Sequence, residues 1–190
     1  MTIGELSRVL GRRANLDACS VSPYIKLWVS TVVREIATLR PWSWMFGKKS
    51  VLLDANGSYT FADGEVLWTD VDFRVAKDGV LLSRVKPYEE LSSTPEAFYL
   101  LSEGSRWTLV CPGLAGQSVD VYAYFFAPPV FERDTDTHPV LIYLPALVTA
   151  RLWWELTMHL GRADADKAMT AYTQLLELLL RVYGTYDVVS

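Results

Sequence analysis

The hydrophobic period changes twice along the chain, and that switch restricts the fold more than any single residue does. From Ile3 to Leu39 apolar side chains recur every three or four positions; from about Lys48 to Ala127 they alternate; after Thr137 the helical spacing returns. Helical ends around a strand-rich middle read as an α+β fold. The expectation is a helical bundle from residues 1–47 and 128–190, with an antiparallel β-rich subdomain of residues 48–127 inserted. The second switch is sharp: VDVYAYFFA reads as a buried strand, Pro128-Pro129 stops it, an acidic step follows, and an apolar helix begins.

Local signals place the elements. Thr2 with Glu5 three residues on makes a capping box ahead of Ile3, Leu6, Val9 and Leu10, so a short first helix is predicted. Ser22-Pro23 reads as cap and first-turn proline of a second helix carrying Ile25, Trp28, Val29, Val32, Val33, Ile36 and Leu39 on one face, ended by Pro41. In the middle, Asn56-Gly57, Asp78-Gly79 and Glu103-Gly104 sit between β-rich runs and predict three hairpins, with a helical turn at Pro87 to Leu91. Helix resumes after Thr137, interrupted at Pro145 and stopped near Gly161. Asp164 then caps a last helix with the stripe Ala168, Met169, Tyr172, Leu175, Leu176, Leu179 and Tyr183. Leu178, Leu180 and Val182 fall off that stripe, and a helix apolar on two faces has to be covered on both.

Composition narrows the function. Apolar residues make up 51% of the chain and the mean hydropathy is +0.15, more apolar surface than one soluble copy readily hides. Oligomerisation is the expected outlet. The one candidate membrane span, Val140 to Met158, is broken by Pro145, Arg151 and Glu155, so no membrane partner is expected. No apolar run adjoins Arg12-Arg13 to make a secretory signal, and Cys19 and Cys111 are too few for a disulfide framework, so a cytoplasmic site of synthesis is expected. Residues 1–49 hold 8 Lys/Arg against 3 Asp/Glu, net +5; the remainder holds 10 against 19, net −9. An acidic body repels phosphate backbones, which argues against stable nucleic-acid binding and is compatible with DNA sliding past.

No catalytic residue, cofactor or metal is assigned. Asp134, Asp136 and His138 form D-x-D-x-H, which a metal-dependent hydrolase could use, but Asp136 or Thr137 capping a helix with Pro139 in its first turn accounts for the pattern. His159 continues a four-residue ladder from Arg151 and Glu155 and reads as a polar edge. The glycines of LVCPGLAGQ are spaced as a turn, not as a phosphate cradle. Trp42, Trp44, Trp68, Trp107, Trp153 and Trp154 read as core or interface anchors, the alternative being a glycan-binding sheet surface.

Taken in order, REIATLRPWSWMF, the hairpin VAKDGVLL, TPEAFYLL with WTLVCPG, and VYAYFFAPPVFERDTDTHPVL followed by ALVTARLWWELTMHLGRADADKAMTAYTQLLELL resemble the head-to-tail adaptor (head completion) proteins of tailed bacteriophages, which include tubular tail proteins. The resemblance covers most of the chain. One departure is Tyr59-Thr60-Phe61-Ala62-Asp63, which lacks the proline that commonly follows the first hairpin in that family; another is the short segment Gly184 to Ser190 where the family commonly has a longer C-terminal extension. The resemblance implies a structural virion protein of the head-tail neck. Its partners would be the portal protein above, nozzle or tail-tube proteins below, and further copies of itself in a ring of twelve, with genomic DNA passing through the lumen unbound. Leu178, Val182 and Trp153 are the expected subunit contacts, and Tyr186, Val188 and Val189 the expected portal contact. Another tail structural role is the alternative within the same class.

Overall fold

The computed structural model describes residues 1–87 and 96–184, with side chains as far as Val182 in the last helix. It is an α+β fold in two compact units, Met1–Ile36 with the segment from Pro128 onward, and Ala37–Ala127.

In the helical unit, α1 (Ile3–Ala14) starts on the reciprocal Thr2/Glu5 capping box and stops at Asn15 in the left-handed region, with Ile3, Leu6 and Leu10 fully buried. Its first amides are taken up from outside the helix: Ile3 N donates to the Asp136 carbonyl at 3.0 Å and Gly4 N to that of Asp134 at 2.8 Å. Helix α2 (Ala18–Ala37) begins four residues before the expected Ser22-Pro23 start and encloses Pro23. A proline so near the N-terminus forfeits only one intrahelical bond, and Val21, Ile25, Val29, Val32, Val33 and Ile36, all buried, hold the helix together. The break at Pro145 separates α3 (Pro139–Tyr143) from α4 (Pro145–His159). Gly161, at φ 61°, closes α4: its N–H reaches the Met158 carbonyl and that of Arg162 reaches Thr157, a Schellman motif. Helix α5 (Ala165–Gly184) follows, its first residue directly after Asp164.

The other unit holds nine strands: β1 (Phe46–Leu52), β2 (Ser58–Thr60), β3 (Val66–Leu67), β4 (Arg74–Lys77), β5 (Val80–Leu81), β6 (Ser83–Arg84), β7 (Ala97–Glu103), β8 (Arg106–Val110) and β9 (Ser118–Phe125) among the described residues. One sheet runs β1-β9-β4-β5, with β3 also on β9; the other runs β2-β8-β7-β6. Two expected hairpins form. Strands β4 and β5 meet around Asp78-Gly79, both at positive φ, and β7 and β8 meet around Gly104-Ser105, one residue beyond the expected bend.

The first expected hairpin does not form: β1 pairs with β9 and β2 with β8. The Asp54 carboxylate accepts from the Asn56 and Ser58 amides at 2.8 Å, and the carbonyl of Gly57, at φ 74°, accepts from the Cys111 N–H at 2.7 Å, so this turn carries the chain from one sheet to the other. One ladder, β6 with β7, is parallel, a departure from the all-antiparallel expectation. Residues 37–47 group with the strands and not with the helices, because buried Trp42 and Met45 lead straight into β1. The expected turn at Pro87 to Leu91 lies outside the described residues after Pro87. Among the described residues, no helix is long and apolar enough to cross a membrane.

Candidate assembly surface

The surface that stands out is the distal half of α5. Ala168 and Tyr172 are buried, Leu175, Leu176 and Leu179 are half-buried, and Leu178, Leu180 and Val182 are exposed by 59%, 41% and 46%. Met169, placed on the buried stripe by periodicity alone, is exposed. From Leu175 to Val182 only Glu177 and Arg181 are polar, so this stretch is apolar around most of its circumference.

Proline chemistry supplies the facing wall. Pro145 has no N–H to continue α3, and the chain bends at Leu144, leaving Tyr143 67% exposed beside the start of α4. Tyr143, Leu144, Pro145, Ala146 and Leu147 then face Leu175, Leu178, Leu179 and Val182 across an open apolar groove of about 250 Å³.

A polar junction fixes the helix that carries this surface. Arg151, 9% exposed, donates from Nε to Glu35 Oε2 at 3.0 Å and from Nη1 to Glu155 Oε1 at 2.5 Å. The Tyr172 hydroxyl donates to Glu35 Oε1 at 2.6 Å, and the Trp154 ring lies 4.3 Å from the guanidinium. Burial and the bond to Glu35 push the Tyr172 phenol well above its ordinary range. The junction thus ties α2, α4 and α5 together. The sequence reading made Arg151, Glu155 and His159 a polar stripe: Arg151 and Glu155 do pair along it, but Arg151 is buried, and exposed His159 stacks on Tyr24 and Trp28 at ring distances of 4.5 and 5.5 Å.

Of the expected subunit contacts, Leu178 and Val182 line the groove, while Trp153 is corrected to core. It is 3% exposed, with the Arg13 guanidinium 4.3 Å and that of Arg162 5.4 Å from its ring, so it has no surface left for a neighbour. Tyr186, Val188 and Val189 lie outside the described residues.

The residues considered for chemistry have structural partners. Asp134 accepts from Lys26 at 2.8 Å and Ser22 at 3.1 Å, which hold its carboxyl below the usual range. The Asp136 carboxylate accepts the Arg133 and Glu132 amides at 2.8 Å and is lowered likewise. The α3 cap is neither Asp136 nor Thr137 but His138, whose Nδ1 accepts from Val140 N at 3.2 Å; burial lowers its pKa, consistent with the neutral ring an acceptor needs. Burial pushes the Cys111 thiol up to about 12, and Cys19 is exposed. Among the described residues, no three His, Cys, Asp or Glu side chains are grouped to hold a metal ion. Trp42 and Trp153 are buried and the other five tryptophans are half-buried.

No protein-family model and no curated protein matches the chain, so the functional argument rests on its own residues.

Proposed function

We propose that this chain is a structural subunit of a bacteriophage neck, a head-to-tail adaptor whose copies form a ring under the portal. The ring closes the DNA-filled head, keeps a channel for DNA, and gives tail proteins a platform. The observation that carries the reading is the apolar distal half of α5 with its groove, uncovered in one copy although a buried junction fixes the same helix. A closed ring buries one such patch at every joint, and docking on a portal raises the effective concentration of neighbours, so weak single contacts suffice. The ordered motifs quoted above and the acidic balance after residue 49, which lets DNA pass without holding it, agree with this role. Twelve copies would match the portal, with Leu178 and Val182 at the subunit joint and Tyr186, Val188 and Val189 against the portal.

Two experiments test the reading. Imaging particles made without the gene should reveal full heads that leak DNA and carry no tails; normal tailed particles would refute the role. Removing residues 185–190 should weaken portal binding, and undiminished binding would dismiss the Tyr186, Val188 and Val189 contact.

A further inference from the structure

The groove beside α5 runs to within two residues of that helix's end. Leu175, Leu178, Leu179 and Val182 line it, and α5 ends at Gly184. Along the helix axis, Leu175 to Val182 is about 10 Å. The sequence continues as Thr185-Tyr186-Asp187-Val188-Val189-Ser190. With Gly184 and Thr185 spent on reversing direction, the residues from Tyr186 onward cover about 16 Å when extended, enough to run back over every lining position on α5. Gly184 stands where the reversal is needed, and glycine is the residue that most readily takes the left-handed conformation that turns a chain at a helix end.

The pattern of the segment fits the same groove. In an extended chain alternate side chains share a face, so Tyr186 and Val188 point one way and Asp187 and Val189 the other, which keeps the segment's only charge out of an apolar groove. Tyr186 brings an apolar ring whose hydroxyl can stay at the wet lip. Two occupants compete for the site, a neighbouring copy and the chain's own segment. The tether decides between them in the free protein: a short linker holds the segment at an effective concentration on the order of mM, far above that of other copies in dilute solution.

We infer that in the free chain Tyr186 and Val188 fold back into this groove and cover Leu178 and Val182. The inference deepens the ring reading and rests on it for its consequence. The segment assigned to the portal also shields the subunit joint, so the joint opens where the portal takes the segment away. A cover of two side chains is reversible; if it is in place about nine-tenths of the time, the affinity of one free copy for another falls about tenfold.

The test begins with the unaltered chain. Nuclear magnetic resonance on dilute protein should give Overhauser contacts from the Tyr186 ring to the methyl groups of Leu178 and Val182, unchanged on further dilution. Absent contacts overturn the inference, and contacts that fade on dilution overturn it in favour of a neighbour's segment. Tyr186→Ser with Val188→Ser, and separately removal of residues 185–190, should open the groove. Self-association in sedimentation velocity should then strengthen about tenfold, and an apolar fluorescent dye should bind more. Association no stronger than wild type, in chains whose circular dichroism melts show them folded, overturns it; the resonance contacts need no variant. Absent contacts in a chain that still rings the portal would remove this inference alone, whereas contacts present in a chain missing from the neck would leave the covered groove standing and remove the ring reading.

Discussion

The two units treat their surfaces differently. In the strand unit Phe61, Val75, Phe98, Leu109, Val119 and Val121 close a core, and three of its cations are paired locally: Lys48 with Asp120, Lys49 with Glu65, Arg74 with Asp72. In the helical unit an equally closed interior coexists with uncovered apolar side chains on α5 and with charges that have no side-chain ion pair. In the strand unit the exposed apolar residues Leu52, Val80 and Leu81 stand at a strand end and on a short hairpin, whereas in the helical unit Leu178, Leu180 and Val182 gather on one firmly held helix, and a face gathered in this way is shaped by what it will meet.

Substitutions can break or sharpen that contrast. The largest effect is expected in the strand core, where Phe61→Ala should cost about 4 kcal/mol in denaturant unfolding through the cavity it leaves among Tyr59, Phe73 and Phe125. Next, Arg151→Met leaves Glu35 and Glu155 without their cation and should cost about 3 kcal/mol; a change within about 0.5 kcal/mol would mean that the junction does not hold α5. Gly57→Ala follows at about 2 kcal/mol, since φ is 74° and a β-carbon would lie 2.5 Å from the Cys111 carbonyl oxygen. Leu178→Asp should move stability by less than about 0.5 kcal/mol while abolishing assembly; a large loss of stability would return Leu178 to the core.

The smallest effect concerns His138. Its folded pKa lies below the unfolded value, so its contribution is present above the ordinary histidine range and is lost as pH falls through the folded value. His138→Asn, which keeps a side-chain acceptor at the cap, should flatten the acid side of a stability-against-pH curve. An unchanged slope would mean that the ring does not titrate in this way.

Much of the fold was legible because periodicity and turn chemistry are local. Helix α1 with its capping box, the Asp78-Gly79 hairpin, the break at Pro145 and the stop at Gly161 could all be read from a few adjacent residues. Pairings between distant residues could not. Asn56-Gly57 announces a turn but not that the strands on either side join different sheets. Arg151 looks like a surface cation until Glu35, 116 residues away, comes alongside. Trp153 carries the guanidinium of Arg13, 140 residues away, on its ring, and no spacing in its own helix signals that. For the assembly surface the off-stripe positions of Leu178 and Val182 were visible, while the groove opposite them depends on how α3 and α4 bend at Leu144.

Cryo-microscopy of the intact neck tests the central claim most directly. The account predicts a ring of copies of this chain beneath the portal in which Leu178 and Val182 are buried. A neck without this chain, or a ring that leaves the distal half of α5 facing solvent, would contradict it.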